Sequence, residues 1–445
     1  GVVTEGLLLL RDIIWGPPMM VLLLGTGLLL TVRAGFPQLT LLGKAWQILS
    51  APKGAEKAVT PRQALCTALA ATVGTGNIIG VAGAICLGGP GAVFWMWVSG
   101  FLGMATKFAE VTLAGQYQIT RGNEQLGGPM YTISRGMPPR WRFLAELYSF
   151  FGLAAAFGVG NATQINAVVS GVRQILGHGS LGGDFLLGLL LAACLGAVLL
   201  GGVRRIGRVA EKLVPLASFG YVALCLLVIG LRRQALVPAI RSIFRGAFSP
   251  RAVTGGAIFS WVRCLGVGCS RGIFTNEAGM GTASMAYSAA PGESVEKGIL
   301  GLMEVFTDTI VICTLTALAV LCGGVPIPYG TDAGADLAAT TFSAVCGSWA
   351  GVALTAFLCV FAFATVLGWG LYGARCGEFL FGPGFFRLFA WLQMAGVVLG
   401  AVMGAQIVWL LAELVNGLMA LPNLAALLYL NQTIQNLTID YKRGG

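Results

Sequence analysis

Residues 71 to 80 read Ala71-Thr-Val-Gly-Thr-Gly-Asn-Ile-Ile-Gly80 and place Gly74, Thr75, Gly76 and Asn77 in the middle of a long apolar stretch. Backbone that leaves the helix at membrane depth is tolerated only where protein buries it or where it lines a cavity, so the stretch reads as a broken spanning helix. A second apolar stretch, near residues 252–285, is interrupted in the same way by Gly268, Ser270, Arg271, Gly272 and the run from Thr275 to Gly279. Two such segments, one in each half of a chain, point to a secondary transporter's binding site at the bilayer midplane.

Composition agrees with a bilayer environment. Hydrophobic residues make up 56% of the chain, mean hydropathy is +0.81 and charged residues amount to 10%, against about 25% in soluble domains. The net charge of +10 is read as a topology signal and not as a nucleic-acid footprint, because basic residues gather in cytoplasmic loops. The 11 cysteines lie singly in or beside apolar runs, as small packing residues do. His178, the only histidine, excludes a two-histidine metal centre. No serine elbow or phosphate loop is present, so an enzyme is not expected.

Apolar runs long enough to cross the bilayer lie near 17–33, then near 62–86, 91–117, 146–171, 184–201, 212–231, 252–285, 297–322, 347–373, 385–401 and 404–430. The expectation is an all-α polytopic membrane protein of eleven helices forming a single transmembrane domain over residues 1–445. Most of the 28 Lys and Arg, among them Lys44, Lys53, Lys57, Arg204, Arg205 and Arg208, fall on one side, which predicts a cytoplasmic C-terminus and an external N-terminus. The cluster from Arg232 to Arg251 runs against this rule. It predicts an amphipathic segment lying on the membrane surface, with Ile240, Ile243, Phe244 and Phe248 on its apolar face. With the first helix set aside, the rest divide into five (62–231) and five (252–430). An odd number per set inverts the second and brings both breaks to one site.

Several local sequences resemble the sodium:alanine (alanine or glycine:cation) symporter family. They are Ala71-Thr-Val-Gly-Thr-Gly-Asn-Ile-Ile-Gly-Val81, Gly88-Gly-Pro-Gly-Ala-Val-Phe-Trp-Met-Trp-Val98, Gly103-Met-Ala-Thr-Lys-Phe-Ala-Glu110, Gly127-Gly-Pro-Met-Tyr131, Thr275-Asn-Glu-Ala-Gly-Met-Gly281, Glu304-Val-Phe-Thr-Asp-Thr309 and Asn416-Gly-Leu-Met-Ala-Leu-Pro-Asn423. The match runs from about residue 15 to 430 in constant order. The resemblance implies a leucine-transporter-like 5+5 inverted repeat with one extra N-terminal helix, in a multi-pass protein of the cell membrane. It further implies import of alanine or glycine with sodium as the coupling ion. The partners expected are a small amino acid and the lipid bilayer, with no nucleic acid and no obligate protein.

The residue chemistry leads to candidate sites. After a break the new half-helix offers free N–H groups and a positive dipole end, suited to a carboxylate, and Thr75, Gly76 and Asn77 are placed to do this. The alternative is that these glycines serve close helix packing. Gln164 is by resemblance a substrate-contacting side chain, the alternative being an interhelical hydrogen bond. Gly268 and Gly272 are expected to bracket the second unwound turn and to complete the substrate site. By resemblance sodium sits between the first broken helix, through backbone oxygens of Ala71 and Gly74, and Thr365. Relatives usually supply two adjacent hydroxyls at the latter point, and here Ala364 stands beside Thr365. Lys107 and Glu110 are expected to pair with each other. Glu304 and Asp308 are expected to find Arg271 or Arg263, and Glu277 to close a hydrogen-bond network; Arg271, Glu277, Glu304 and Asp308 are thus gate or scaffold charges. A proton- or sodium-coupled carrier of another small zwitterion, a channel and a membrane-embedded enzyme are the alternatives.

Overall fold

A computed structural model describes residues 1–52, 58–403 and 406–444; Lys53, Lys57 and the start of the last expected span lie outside them. The chain is built almost wholly of helices. One apolar stretch forms α1 (Val2–Ile14) and α2 (Pro17–Arg33), divided at Gly16 because Pro17 and Pro18 cannot donate to a preceding turn. The expected first span is α2, and α1 precedes it. Next come α3 (Pro61–Thr72) and α4 (Gly76–Gly88), which meet at 57° and together make the bent span expected near 62–86.

The long helix α5 (Ala92–Gln116) follows, then a hairpin of β1 (Ile119–Arg121) and β2 (Glu124–Leu126). After it come α6 (Pro139–Leu176), α7 (Leu181–Leu199) and α8 (Gly202–Leu231). A shorter helix, α9 (Leu236–Phe248), leads to α10 (Trp261–Asn276). The remainder is α11 (Ser294–Cys322), α12 (Gly334–Cys346), α13 (Ser348–Phe381), α14 (Phe385–Val402), α15 (Gln406–Tyr429) and α16 (Asn431–Gly444). Wider π turns interrupt α6 at Gly158–Ala162 and α11 at Phe306–Ile312.

Among the described residues nine helices are long and apolar enough to cross a membrane, ten with the bent pair, where eleven were expected. The difference lies at 252–285. There α10 has 16 residues, about 24 Å at 1.5 Å per residue, which is short of the hydrocarbon thickness. It stops because Glu277 takes a left-handed conformation (φ 55°), followed by positive φ at Gly279 and Gly281. Helical backbone resumes only at Ser284–Tyr287. The interruption expected at Gly268–Gly272 therefore falls at Glu277–Gly281.

Gly268 and Gly272 have another use. Helix α5 is buried along most of its length, packed against α2, α10 and α11. A methyl group at Gly268 would collide with the Ala92 carbonyl oxygen and lie 2.7 Å from Trp95 Cβ, and one at Gly272 would collide with Ser99 Oγ. The absent side chains let α10 sit directly on α5, as small residues do between membrane helices. On the outside of the bundle, Leu186, Leu190, Leu216 and Phe219 remain exposed, which suits a surface solvated by lipid.

Gly268→Ala should therefore destabilise the protein by about 1–3 kcal/mol, the usual cost of overpacking, and lower its melting temperature in detergent. Gly266→Ala, on the same helix with nothing within 4 Å of the new carbon, should not. Equal melting temperatures would refute the close-packing role.

Candidate functional site

The first break is built from strong local signals. Thr60 and Gln63 form a capping box with Pro61 in the first turn of α3, which fixes where the helix starts. The helix ends at Thr72, and Val73 is extended (φ −76°, ψ 117°). The Asn77 side chain then takes the place of the lost helical partner: its Oδ1 accepts from the Gly74 N–H at 2.9 Å. Its Nδ2 donates to the carbonyl oxygen and to Oδ1 of Asp308, at 3.0 and 2.9 Å. Asn77 is thus wholly buried in holding the break, and its side chain is not directed at a ligand.

From Asp308 the hydrogen bonds continue. Thr309 Oγ1 donates to Asp308 Oδ2 at 2.9 Å and accepts from Asn276 Nδ2 at 3.1 Å. Asn276 Oδ1 accepts from the Ala278 N–H at 2.9 Å. A continuous polar chain thus runs from the first break through the π turn of α11 to the second break. The two breaks also touch: a carbon added at Gly76 would lie 3.4 Å from Thr275 Oγ1. The second stretch meets the first through Thr275 and Asn276, and not through Gly268 and Gly272.

Of the residues expected around a cation, Gly74 and Thr365 lie near each other, but the carbonyl oxygens that meet the Thr365 hydroxyl are those of Ala70 and Phe361, and not those of Ala71 and Gly74. Thr365 Oγ1 lies 3.0 Å from both the Ala70 and Phe361 carbonyl oxygens, and a carbon at Gly74 would be 3.5 Å from that hydroxyl. Ala71 backs onto Gly368, where an added methyl would stand 2.9 Å from its Cβ. The Thr365 hydroxyl thus links the end of α3 to α13 by hydrogen bonds to two carbonyl oxygens. Ala364 is buried beside Thr365 and brings no side-chain oxygen.

One turn further along α13, Trp369 packs onto the π turn of α6, because Gly160 has no side chain to keep it away. Two residues past that turn, Gln164 is 7% exposed. Its Nε2 donates to Val159 O at 3.2 Å within its own helix, whereas Oε1 is buried with no partner among the described residues. The interhelical hydrogen bond considered from the sequence does not form, and a costly free acceptor remains. The face of α13 from Phe361 to Trp369 therefore joins the first break to the π turn that precedes Gln164.

The charges are paired otherwise than the sequence suggested. Lys107 Nζ lies 3.1 Å from Glu304 Oε2, both fully buried, because Lys107 points across to α11 and not along its own helix to Glu110. Tyr287 donates to Glu304 Oε1 at 2.7 Å. Glu110 accepts from the Gly279 N–H at 2.8 Å and Asn423 Nδ2 at 3.1 Å, and Glu277 accepts from Thr282 Oγ1 at 3.2 Å. Arg271 meets Asp332 at 3.5 Å near the surface, and Arg263 donates to Leu87 O at 3.0 Å; neither reaches Glu304 or Asp308. Sequence reasoning missed Thr275, Asn276, Thr309 and Trp369 as members of the site. For the first three the signal was a set of polar residues beside the interruptions, legible only once Asp308 is known to face Asn77; Trp369 carried no such signal.

Comparison with known proteins places these features in context. Residues 2–444 match the model of the "Sodium:alanine symporter family". The chain is 40% identical over 440 residues to the sodium/alanine symporter AgcS of Methanococcus maripaludis, covering 96% of this chain and 95% of that one. It is 35% identical to the probable sodium/glutamine symporter GlnT of Bacillus subtilis, over 97% of this chain and 89% of that one. Among solved structures, MhsT in complex with L-phenylalanine has a TM-score of 0.57 at 16% identity, covering 87% of this chain and 99% of that one; at that identity the likeness concerns the fold.

Thr309→Val keeps the shape and removes the hydroxyl, leaving Asn276 Nδ2 and Asp308 Oδ2 each short of a partner. The expected loss is about 1–3 kcal/mol, seen as a lower melting temperature, with Thr309→Ser restoring most of it. If valine is as stable as threonine, the polar chain does not hold the breaks together.

Proposed function

The chain belongs to the sodium:alanine symporter family, and on that premise we propose that it imports alanine or glycine with sodium by alternating access. It is a multi-pass membrane carrier and not an enzyme. The observation that carries the reading is the buried, unpartnered Gln164 Oε1, one turn past the Gly160 that packs on α13, the helix whose Thr365 meets the end of α3. Only an acceptor left free can take up a substrate ammonium without first breaking a bond.

In this reading the carboxylate is held at the start of α4 by backbone N–H groups at Thr75 and Gly76, aided by the helix dipole. Asn77 shapes that turn. Sodium occupies the space between the end of α3 at Ala71 and Gly74 and the Thr365 hydroxyl. Gly268 and Gly272 act indirectly, by seating α10 on α5. Arg271 and Asp332 form an outer gate; exposed pairs of this kind contribute about 0–1 kcal/mol, weak enough to open. Glu277, Glu304 and Asp308 are scaffold.

The proposed 5+5 arrangement takes the α3–α4 pair with α5 to α8 as the first set. The second is α10 with its continuation to residue 285, then α11, α13, α14 and α15, with α2 as the extra helix. The bias of Lys and Arg supports a cytoplasmic C-terminus. A second reading, proton or sodium coupling to another small zwitterion, is favoured by one observation, the missing oxygen at Ala364.

Reconstituted protein should accumulate labelled alanine or glycine against a gradient when sodium is inward-directed, and not when the gradient is collapsed; downhill equilibration alone would contradict symport. Gln164→Ala removes a charge-assisted bond worth about 1.5–3 kcal/mol, which should raise the apparent dissociation constant about ten- to 150-fold at unchanged melting temperature. Ala364→Ser should lower the sodium concentration for half-maximal uptake. Coincident sodium curves for parent and variant would remove residue 364 from the ion site.

A further inference from the structure

The arginine cluster that departs from the positive-inside pattern has no part in the site described above. Residues 232–251 contain Arg232, Arg233, Arg241, Arg245 and Arg251 and no acidic residue. None of the five enters an ion pair among the described residues. Arg251 is occupied against the Phe259 ring at 5.2 Å. Arg241 and Arg245 are four apart on α9, on the same exposed side of the helix as Phe244.

That side of α9 leads into an apolar groove. Phe244 packs against Phe94 and Trp97 with ring centroids 5.9 and 5.7 Å away. From there a groove of about 510 Å³ follows α5 past Phe94, Trp97, Val98, Phe101 and Leu102, walled on the far side by Ile310 and Thr314 of α11. The Thr314 hydroxyl accepts from Trp97 Nε1 at 2.8 Å, so the one polar side chain of the wall is already engaged. From Phe94 to Leu102 the groove descends about 12 Å at 1.5 Å per residue, within one leaflet of a hydrocarbon core about 30 Å thick. It ends where α2 crosses, since Gly27 would bring an added carbon to 2.9 Å from Leu102 O.

We propose that this groove seats an acyl chain of an anionic glycerophospholipid whose phosphate is held by Arg241 and Arg245. The charge complementarity is specific. Guanidinium groups bind phosphate oxygens through paired hydrogen bonds, and these two lie on the exposed side of α9 next to Phe244, whose ring meets Phe94 and Trp97 of a groove that hydrocarbon fills. A zwitterionic lipid fits the groove equally but offers the arginines no net charge. The bound lipid also explains why the cluster persists on the side of the membrane poorer in basic residues. The opposite, buried side of α9 rests on the start of α10, with Cys264 Sγ 3.7 Å from Gly246 O.

The test uses the full chain in phosphatidylcholine vesicles containing equal small fractions of brominated phosphatidylglycerol or brominated phosphatidylcholine, and reads quenching of tryptophan fluorescence. The anionic bromolipid should quench more strongly, and Trp97→Phe should remove most of that excess. Arg241→Gln with Arg245→Gln should abolish the excess, and Arg232→Gln with Arg233→Gln should leave it. High salt should shrink it in the unmodified protein, which gives an arm that needs no variant. Equal quenching by the two lipids, or an undiminished excess in the Arg241/Arg245 variant, overturns the proposal. The readout is binding alone, so it stands or falls apart from the transport assignment.

Discussion

A buried carboxylate, Asp308, accepts hydrogen bonds from Asn77 on one side and Thr309 on the other, and the centre of the molecule is organised around that joint. A broken helix inside a bilayer releases N–H and C=O groups that no water can satisfy, each costly if left unpaired. Here two helices break, and the same chain of side chains reaches the Gly74 amide at one end and the Ala278 amide at the other. The π turn at Phe306–Ile312 presents Asp308 and Thr309 to both at once, the kind of local irregularity that tends to mark functional positions. The breaks are thereby held in register with each other.

The surrounding charges and glycines keep that centre in place. Lys107 and Glu304 form a fully buried pair across α5 and α11, and removing one partner of such a pair costs about 3–5 kcal/mol because the other charge is left uncompensated. Glu110 and Asn423 fasten both the amide and the carbonyl of Gly279, which fixes the chain just past the second break. Gly268 and Gly272 bring α10 onto α5. The polar groups of this scaffold are engaged with one another, and the Thr365 hydroxyl beside the α3 terminus donates to the Ala70 and Phe361 carbonyls, whereas Gln164 Oε1 is among the buried polar atoms that have no partner among the described residues.

The first break was legible from Gly74 to Asn77 because Thr75 and Asn77, polar residues among the glycines, gain little from packing alone in an apolar run. The nearness of Gly74 to Thr365 followed from the resemblance carried by the motifs, but the carbonyls that meet the Thr365 hydroxyl, Ala70 and Phe361, did not. The second break was displaced by several residues, because glycines that unwind a helix and glycines that admit a neighbour look alike in sequence; only the contact with Ala92 and Ser99 separates them. The ion pairs were misassigned for a related reason. Spacing along one helix gives the face a side chain occupies, as for Lys107, but not the helix that faces it. Asn77 was read as offering a free N–H after the break, whereas that N–H donates to the Gly74 carbonyl and its side chain is held by Asp308, 231 residues away.

If the first break, Thr365 and Gln164 form one coupled site, sodium and amino acid must each raise the other's affinity by the same factor, since linkage between binding equilibria is reciprocal. Equilibrium binding of labelled alanine to detergent-solubilised protein over a sodium series, paired with sodium titrations over an alanine series, measures both factors directly. The account predicts two equal factors well above one. Alanine binding that is indifferent to sodium would contradict it.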